Sequence, residues 1–334
     1  MRAREDKPAG LRAAPARRSA ATAGGAAFCL ALAAALAAGC GRESSATGAP
    51  RATVIGRKGT RSGEFLGPRA LGYARDGSIY CIDNTGRMQH LAADGRFLKV
   101  WRLPEVERGL PEGLAFDAQG NILVADTHYS RVLRYSPSGE LLGQFGSHGE
   151  LPGQMVYPLG VAVNSRGEIY VSEYGGSAHR VQRFSAAGGY MGGWGSLGTS
   201  PGEFSRPSGV AVDPEDRVYV ADSVNHRIQR FTPDGRLIDV WGREGSGPGE
   251  LRYPYDIAIT PRGTAVVCEY GNCRVSEFRL DGSFLRSWGG PGRAPGEFAT
   301  PWCIAAASAG EVAVADTRND RLQVFHLGLN GGGR

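Results

Sequence analysis

The sequence lacks an apolar run long enough to cross a bilayer as a helix. Its longest, AGGAAFCLALAAALAA from Ala23 to Ala38, has 16 residues, against the ~20 that a helical span needs. It also lacks a strong charge of either sign. Of its 38 Lys/Arg and 33 Asp/Glu, six and two lie in residues 1–40, which leaves 32 basic and 31 acidic groups in the rest. A nucleic-acid partner requires a basic stripe, so this near-neutral body excludes one. Cysteine is scarce. Two of the six fall in the first 40 residues, and a chain of 334 residues buries enough surface to need no disulfide framework (roughly 75% of what the unfolded chain exposes). No CxxCH, Walker or HExxH motif is present. With 41% hydrophobic and 21% charged residues, disorder, collagen and coiled coil are excluded too. Glycine and proline are plentiful, 51 and 19. They punctuate a chain of many short elements and leave no room for long helices.

The N-terminus reads as a targeting segment. Arg12, Arg17 and Arg18 precede the apolar stretch, as in a secretory signal. The stretch ends LAAGC, Leu36 to Cys40, which resembles a bacterial lipobox. That resemblance implies cleavage before Cys40 and lipid attachment there, although Leu36 stands four positions before the Cys, where lipoboxes prefer three. Gly41 at the next position implies an outer-membrane destination in a Gram-negative cell. An uncleaved anchor or a later start codon are the alternatives. The expected organisation is a signal over 1–39, a tether over 40–51, a folded body over 52–327 and a disordered tail over 328–334.

The body is a repeat. One proline per unit (Pro68, Pro111, Pro158, Pro207, Pro254 and Pro301) recurs at gaps of 43, 47, 49, 47 and 47 residues. An acid further on, Asp83, Asp126, Glu173, Asp222, Glu269 and Asp316, recurs at the same gaps. Periods of 40–50 residues mark propellers or arrays. The fullest unit, Gly202 to Gly242, has four β-rich runs, GVAVD, RVYVAD, RIQRF and LIDVWG, parted by Asp213-Pro214 and Pro233-Asp234-Gly235. The expected fold is all-β: a six-bladed β-propeller of four-stranded antiparallel blades. GVAVD, VYVAD and NHRIQRF resemble the NHL repeat, and the resemblance runs from Ala52 to His326. The first unit is degenerate and the second lacks the Gly-Glu-Phe segment. The sixth stops after its third strand, RLQVFH, while ATVIGRKG from Ala52 matches a fourth strand. The N-terminal strand is therefore expected to complete the last blade and remove an exposed edge.

Each recurring acid is followed by an arginine: Asp83/Arg87, Asp126/Arg131, Glu173/Arg180, Asp222/Arg227, Glu269/Arg274 and Asp316/Arg321. Active sites are singular and architecture is periodic, so these are expected to be structural ion pairs. Binding is sought where units differ, on the face that holds the strand-one starts. The candidates there are Arg69, Glu112, Tyr129, Tyr174, Tyr255, Asp256, Tyr270 and Trp302. They would line a mouth, or the aromatics would stack and plug the channel.

The reading of this face is a non-catalytic, lipid-anchored module of the bacterial envelope, acting as a monomer without cofactor or metal and recognising a protein, peptide or glycan. The alternative is a metal-dependent lyase or hydrolase. Similarity to amidating lyases would imply a zinc held by three His just after the strand-one prolines, and no His occupies those places here. Similarity to lactonase-like propellers would imply an acidic and Asn cluster around a divalent cation in the channel, and Asp256 and Glu112 alone are too few for it. Cys268 and Cys273 flank the hairpin tip EYGN and are candidates for a disulfide.

Overall fold

A computed structural model describes residues 50–327, within which 24 strands run in chain order from β1 (Ala52–Ile55) to β24 (Arg321–His326). The signal, Cys40, most of the tether and the tail lie outside the described residues. The strands form six four-stranded antiparallel sheets. Blades 1 to 5 take consecutive strands, and blade 6 has the order β1-β24-β23-β22, so the ring closes as expected. Ala52 to Ile55 pair with Phe325 to Leu322 in unbroken register, and Ile55 is buried in the core between blades 6 and 1.

Six innermost strands surround the axis: β2 (Pro68–Tyr73), β6 (Gly113–Phe116), β10 (Pro158–Val163), β14 (Pro207–Val212), β18 (Pro254–Ile259) and β22 (Pro301–Ala306). Burial explains the composition of each layer. The second strands of blades 1 to 5, for example β15 (Val218–Asp222) with VYVAD, are buried along their whole length, and that of blade 6 from its second residue on, because a neighbouring blade covers each face. β-branched and small apolar residues fill them. The fourth strands, such as β9 (Leu141–Phe145), face solvent on the rim. Apolar residues of adjacent blades interlock into six separate cores, one per junction. A blade left alone would expose both faces, and so the ring is the stable unit.

The loops entering blades 1 and 3 to 6 are pinned by parallel bridges, Lys58 to Phe65, His148 to Met155, Leu197 to Phe204, Glu244 to Leu251 and Pro291 to Phe298. Blade 2, which lacks the Gly-Glu-Phe segment, has no such bridge among the described residues. The expected ion pairs all form. N···O distances are 2.5 Å for Asp83–Arg87, 2.8 Å for Asp126–Arg131, 2.6 Å for Glu173–Arg180, 2.7 Å for Asp222–Arg227, 2.7 Å for Glu269–Arg274 and 2.8 Å for Asp316–Arg321. Each arginine does more than pair. Arg227 also donates to the carbonyls of Thr199, Ser200 and Glu203, tying the hairpin to the entering loop. Burial pushes Asp126, Glu173, Asp222, Glu269 and Asp316 above the usual carboxylate range against the pull of their arginines.

The Cys268–Cys273 bridge is not formed. Cys268 sits inside a strand opposite Val275. Cys273 stands at the hairpin tip with φ 51°, its Sγ 3.8 Å from the Tyr270 carbonyl oxygen. The left-handed residue that turns the chain takes Cys273 out of register with Cys268.

Candidate functional site

The start of every innermost strand is built on an unusual backbone. The residue before the proline has positive φ in five blades: Gly67 57°, Tyr157 48°, Arg206 58°, Tyr253 49° and Thr300 54°. Non-glycine residues rarely occupy this region. Its fivefold recurrence makes it architectural, a sharp entry that turns the chain into the channel. Two histidines support it. His179 Nδ1 accepts the Arg206 N–H at 2.9 Å, and His226 Nδ1 accepts the Tyr253 N–H at 3.0 Å. Burial holds both rings below their ordinary pKa, and the neutral ring is the form that can accept.

Around this entrance the side chains make a belt that touches all six blades. Arg69 Nη2 of blade 1 meets Glu112 Oε1 of blade 2 at 2.5 Å. The same guanidinium lies 4.7 Å from the Trp302 ring centroid of blade 6. Trp302 packs on Tyr255 of blade 5 at 4.4 Å, and Tyr270 closes on both at 5.9 and 5.8 Å. Tyr255 OH accepts from Arg206 Nη2 of blade 4 at 2.6 Å. Arg206 in turn covers Tyr174 of blade 3 at 4.6 Å. Tyr174 contacts Tyr157 at 5.6 Å, and Tyr157 contacts His128 of blade 2 at 5.7 Å. His128 follows the second strand of blade 2 and Glu112 precedes its first, so the chain of contacts comes back to the blade that Arg69 engages. Alternating guanidinium groups and rings attract by charge and quadrupole.

Seven of the eight expected residues therefore meet. Arg69, Glu112, Tyr174, Tyr255, Tyr270 and Trp302 form the belt, and Asp256 lies one residue further into the channel. Tyr129 does not join them. It stacks under Arg108 and Arg131, 5.6 and 4.9 Å away, and donates to Glu107 at 3.1 Å. The aromatics are packed on one another, and Tyr255 is only 5% exposed. Three members, Tyr157, Arg206 and His128, complete the ring without standing among those candidates. The signal for the first two lay one place before the proline, where Gly67, Leu110, Tyr157, Arg206, Tyr253 and Thr300 differ as much as the residues after it.

Beneath the belt the channel encloses about 850 Å³, including its part open to solvent. Asp256 projects there because Gly209 of the preceding blade makes room: a Cβ on Gly209 would collide with Asp256 Oδ1. The carboxyl accepts the N–H groups of Ile257 and Ile304, both at 2.9 Å. Desolvation outweighs these bonds and the Cys303 thiol contact, and its pKa is pushed up to about 6. Among the described residues no group of three or more His, Cys, Asp or Glu is placed to hold a metal ion.

The chain matches the NHL repeat at residues 155–184, 204–231 and 298–325. Among curated proteins, a 64-residue stretch is 41% identical to the protein brain tumor of Drosophila melanogaster. That stretch is 19% of this chain and 6% of the fly protein. Among solved structures the fold is similar to a streptogramin B lyase (TM-score 0.58, 16% identity, 84% of this chain and 89% of that one). It is also similar to a catalytically inactive variant of virginiamycin B lyase from Staphylococcus aureus with quinupristin (TM-score 0.57, 16% identity, 86% and 98%). A Bacteroides thetaiotaomicron protein of unknown function is similar as well (TM-score 0.61, 16% identity, 83% and 76%). At these identities the likeness is one of fold.

Proposed function

We propose that this chain, a six-bladed propeller carrying NHL repeats, is a lipid-anchored binding module of the bacterial cell envelope that takes its ligand at the belt and the channel beneath it. The observation that carries the reading is the belt itself. Six blades of one repeat each place a different residue at the mouth, where packing alone would be served by the Ser208-Gly209 pair of blade 4. Aromatic rings with polar handles dominate recognition surfaces, and variation confined to one face of a periodic body is where a binding site is expected.

Trp302→Ala is the test at the mouth. Trp302 lines the channel and is less buried than Tyr255. The variant is expected to lose capture of an envelope partner by at least tenfold in a pulldown below its melting temperature. Capture unchanged in the variant, with a melting temperature several degrees lower, would assign the aromatics to packing alone.

Anchoring has its own test. Cys40→Ala is expected to move the protein from the detergent phase to the aqueous phase on Triton X-114 partitioning, since acyl chains supply the membrane affinity. Unchanged partitioning would end the lipid assignment.

A lyase or hydrolase acting on the same face is the second reading. A channel carboxyl with a pKa near 6 is suited to general acid–base work at neutral pH. That reading requires turnover that Asp256→Asn abolishes.

A further inference from the structure

The space under the belt is chemically one-sided. Glu112 and Asp256 are the charged side chains that line it, and no Lys, Arg or His stands beside them in the lining. Arg69 and Arg206 belong to the belt, where their guanidinium groups lie over Trp302, Tyr174 and Tyr255. Only one oxygen of Glu112 is answered by Arg69. The other, Oε2, is buried and accepts no hydrogen bond, on a side chain only 6% exposed. A buried carboxylate oxygen without a donor is costly and calls for an explanation; unlike Asp126 Oδ1 in the blade 2 hairpin, this one belongs to a side chain that lines the channel. Asp256 is answered by two backbone N–H groups and by no cation. Cys268 is its register partner and the Cys303 thiol also interacts with it, and burial keeps both thiols neutral. Below the two acids the wall is aliphatic, with Leu71, Val210 and Ile304 among its residues.

We propose that the channel binds a small organic cation: a protonated amine carried on an apolar body, its ammonium donating to Glu112 Oε2 and facing Asp256, and its body held by Trp302, Tyr255 and the aliphatic wall. Acids in a cleft with low-dielectric walls focus a negative potential that concentrates cations. An ammonium satisfies an orphaned carboxylate oxygen by a charge-assisted bond, and aromatic faces at the mouth add cation–π attraction. A bare metal ion fits less well, since hard cations take six or more oxygen ligands and an aliphatic wall supplies none. The inference rests on reading the mouth as the binding face.

Protons compete with the ligand at Asp256. Its pKa of about 6 leaves it ionised above that value and neutral below it, so affinity for a cation falls as pH drops. The loss is roughly tenfold between pH 7 and pH 5 for one such group.

The experiment is calorimetric titration of the full chain in detergent with three probes of one shape: phenethylammonium, 2-phenylethanol and phenylacetate. Calcium serves as a fourth. Phenethylammonium is expected to bind at least tenfold more tightly than the alcohol, with no binding of phenylacetate. Glu112→Gln should weaken it at least tenfold, and Asp256→Asn should remove the dependence on pH between 5 and 7. Melting curves of both variants confirm that they fold. Equal binding of alcohol and ammonium, tighter binding of calcium, or no binding of phenethylammonium would each overturn the proposal. If capture of an envelope partner is nevertheless lost in Trp302→Ala, the mouth remains a binding face and only the ligand class is wrong. If neither is seen, both fall.

Discussion

Replacing Asp222 with alanine lowers the stability of the folded body by about 3–5 kcal/mol, the usual result of removing one partner from a buried ion pair. Asp222 has no exposed surface. It accepts the Ser205 N–H at 2.7 Å, Asn225 Nδ2 at 2.8 Å, Arg227 Nε at 2.7 Å and Gln229 Nε2 at 3.0 Å. Deleting its carboxylate strands these donors where little water reaches them. Blade 2 provides the internal comparison. Leu133 stands there in place of the glutamine, and the entering loop supplies no backbone donor. Asp126 accepts only from Arg131 Nε, at 2.8 Å, and its Oδ1 has no partner. Arg131 also keeps a second acid, Glu105, at 2.5 Å. Asp126→Ala should therefore cost less than half as much, about 1–2 kcal/mol. Urea unfolding of the two variants side by side measures the difference. Equal losses would mean that the arginine alone matters and the hydrogen-bond hub around the acid does not.

Removing residues 41–57 opens the ring. The truncation deletes β1, four register pairs with β24 and the Ile55 side chain, which is 6% exposed. Burial of an Ile side chain is worth about 1.5–3 kcal/mol, and the lost strand pairing and the wetted core between blades 6 and 1 add to it. A total of about 3–5 kcal/mol corresponds to roughly 10 °C in melting temperature for a body of this size. The exposed edge of β24 also offers unpaired N–H and C=O groups to other chains, so the truncated protein is expected to self-associate in light scattering. A truncated body that melts with the full chain and stays monodisperse would show that the innermost strands alone hold the ring.

Arg69 and Trp302 stand near opposite ends of the repeat region, and the closure of the ring brings them together. The period, the four runs per unit, the ion pairs and the closing strand were legible because each is local: turn dipeptides, β-branched runs and an acid followed shortly by an arginine. Thr264 to Arg279 needed no more than the hairpin rule to be paired. The Cys268–Cys273 expectation failed at the same scale. Spacing alone does not carry φ, and the left-handed turn at Cys273 decided the matter.

What the sequence by itself determined is the blade, repeated, with its ion pairs and its closing strand, because those depend on neighbours within about fifty residues of chain or on the repeat itself. What only the tertiary structure decided is the mouth. Tyr157, Arg206, Tyr255, Trp302, Arg69 and Glu112 stand on different blades and touch only because the ring brings the strand starts to one circle. Whether Glu112 Oε2 is answered, and whether Asp256 faces a cation or two amides, depends on which side chain of the adjacent blade fills the gap. A periodic sequence specifies the circle; the exceptions to its period meet only when the circle is closed.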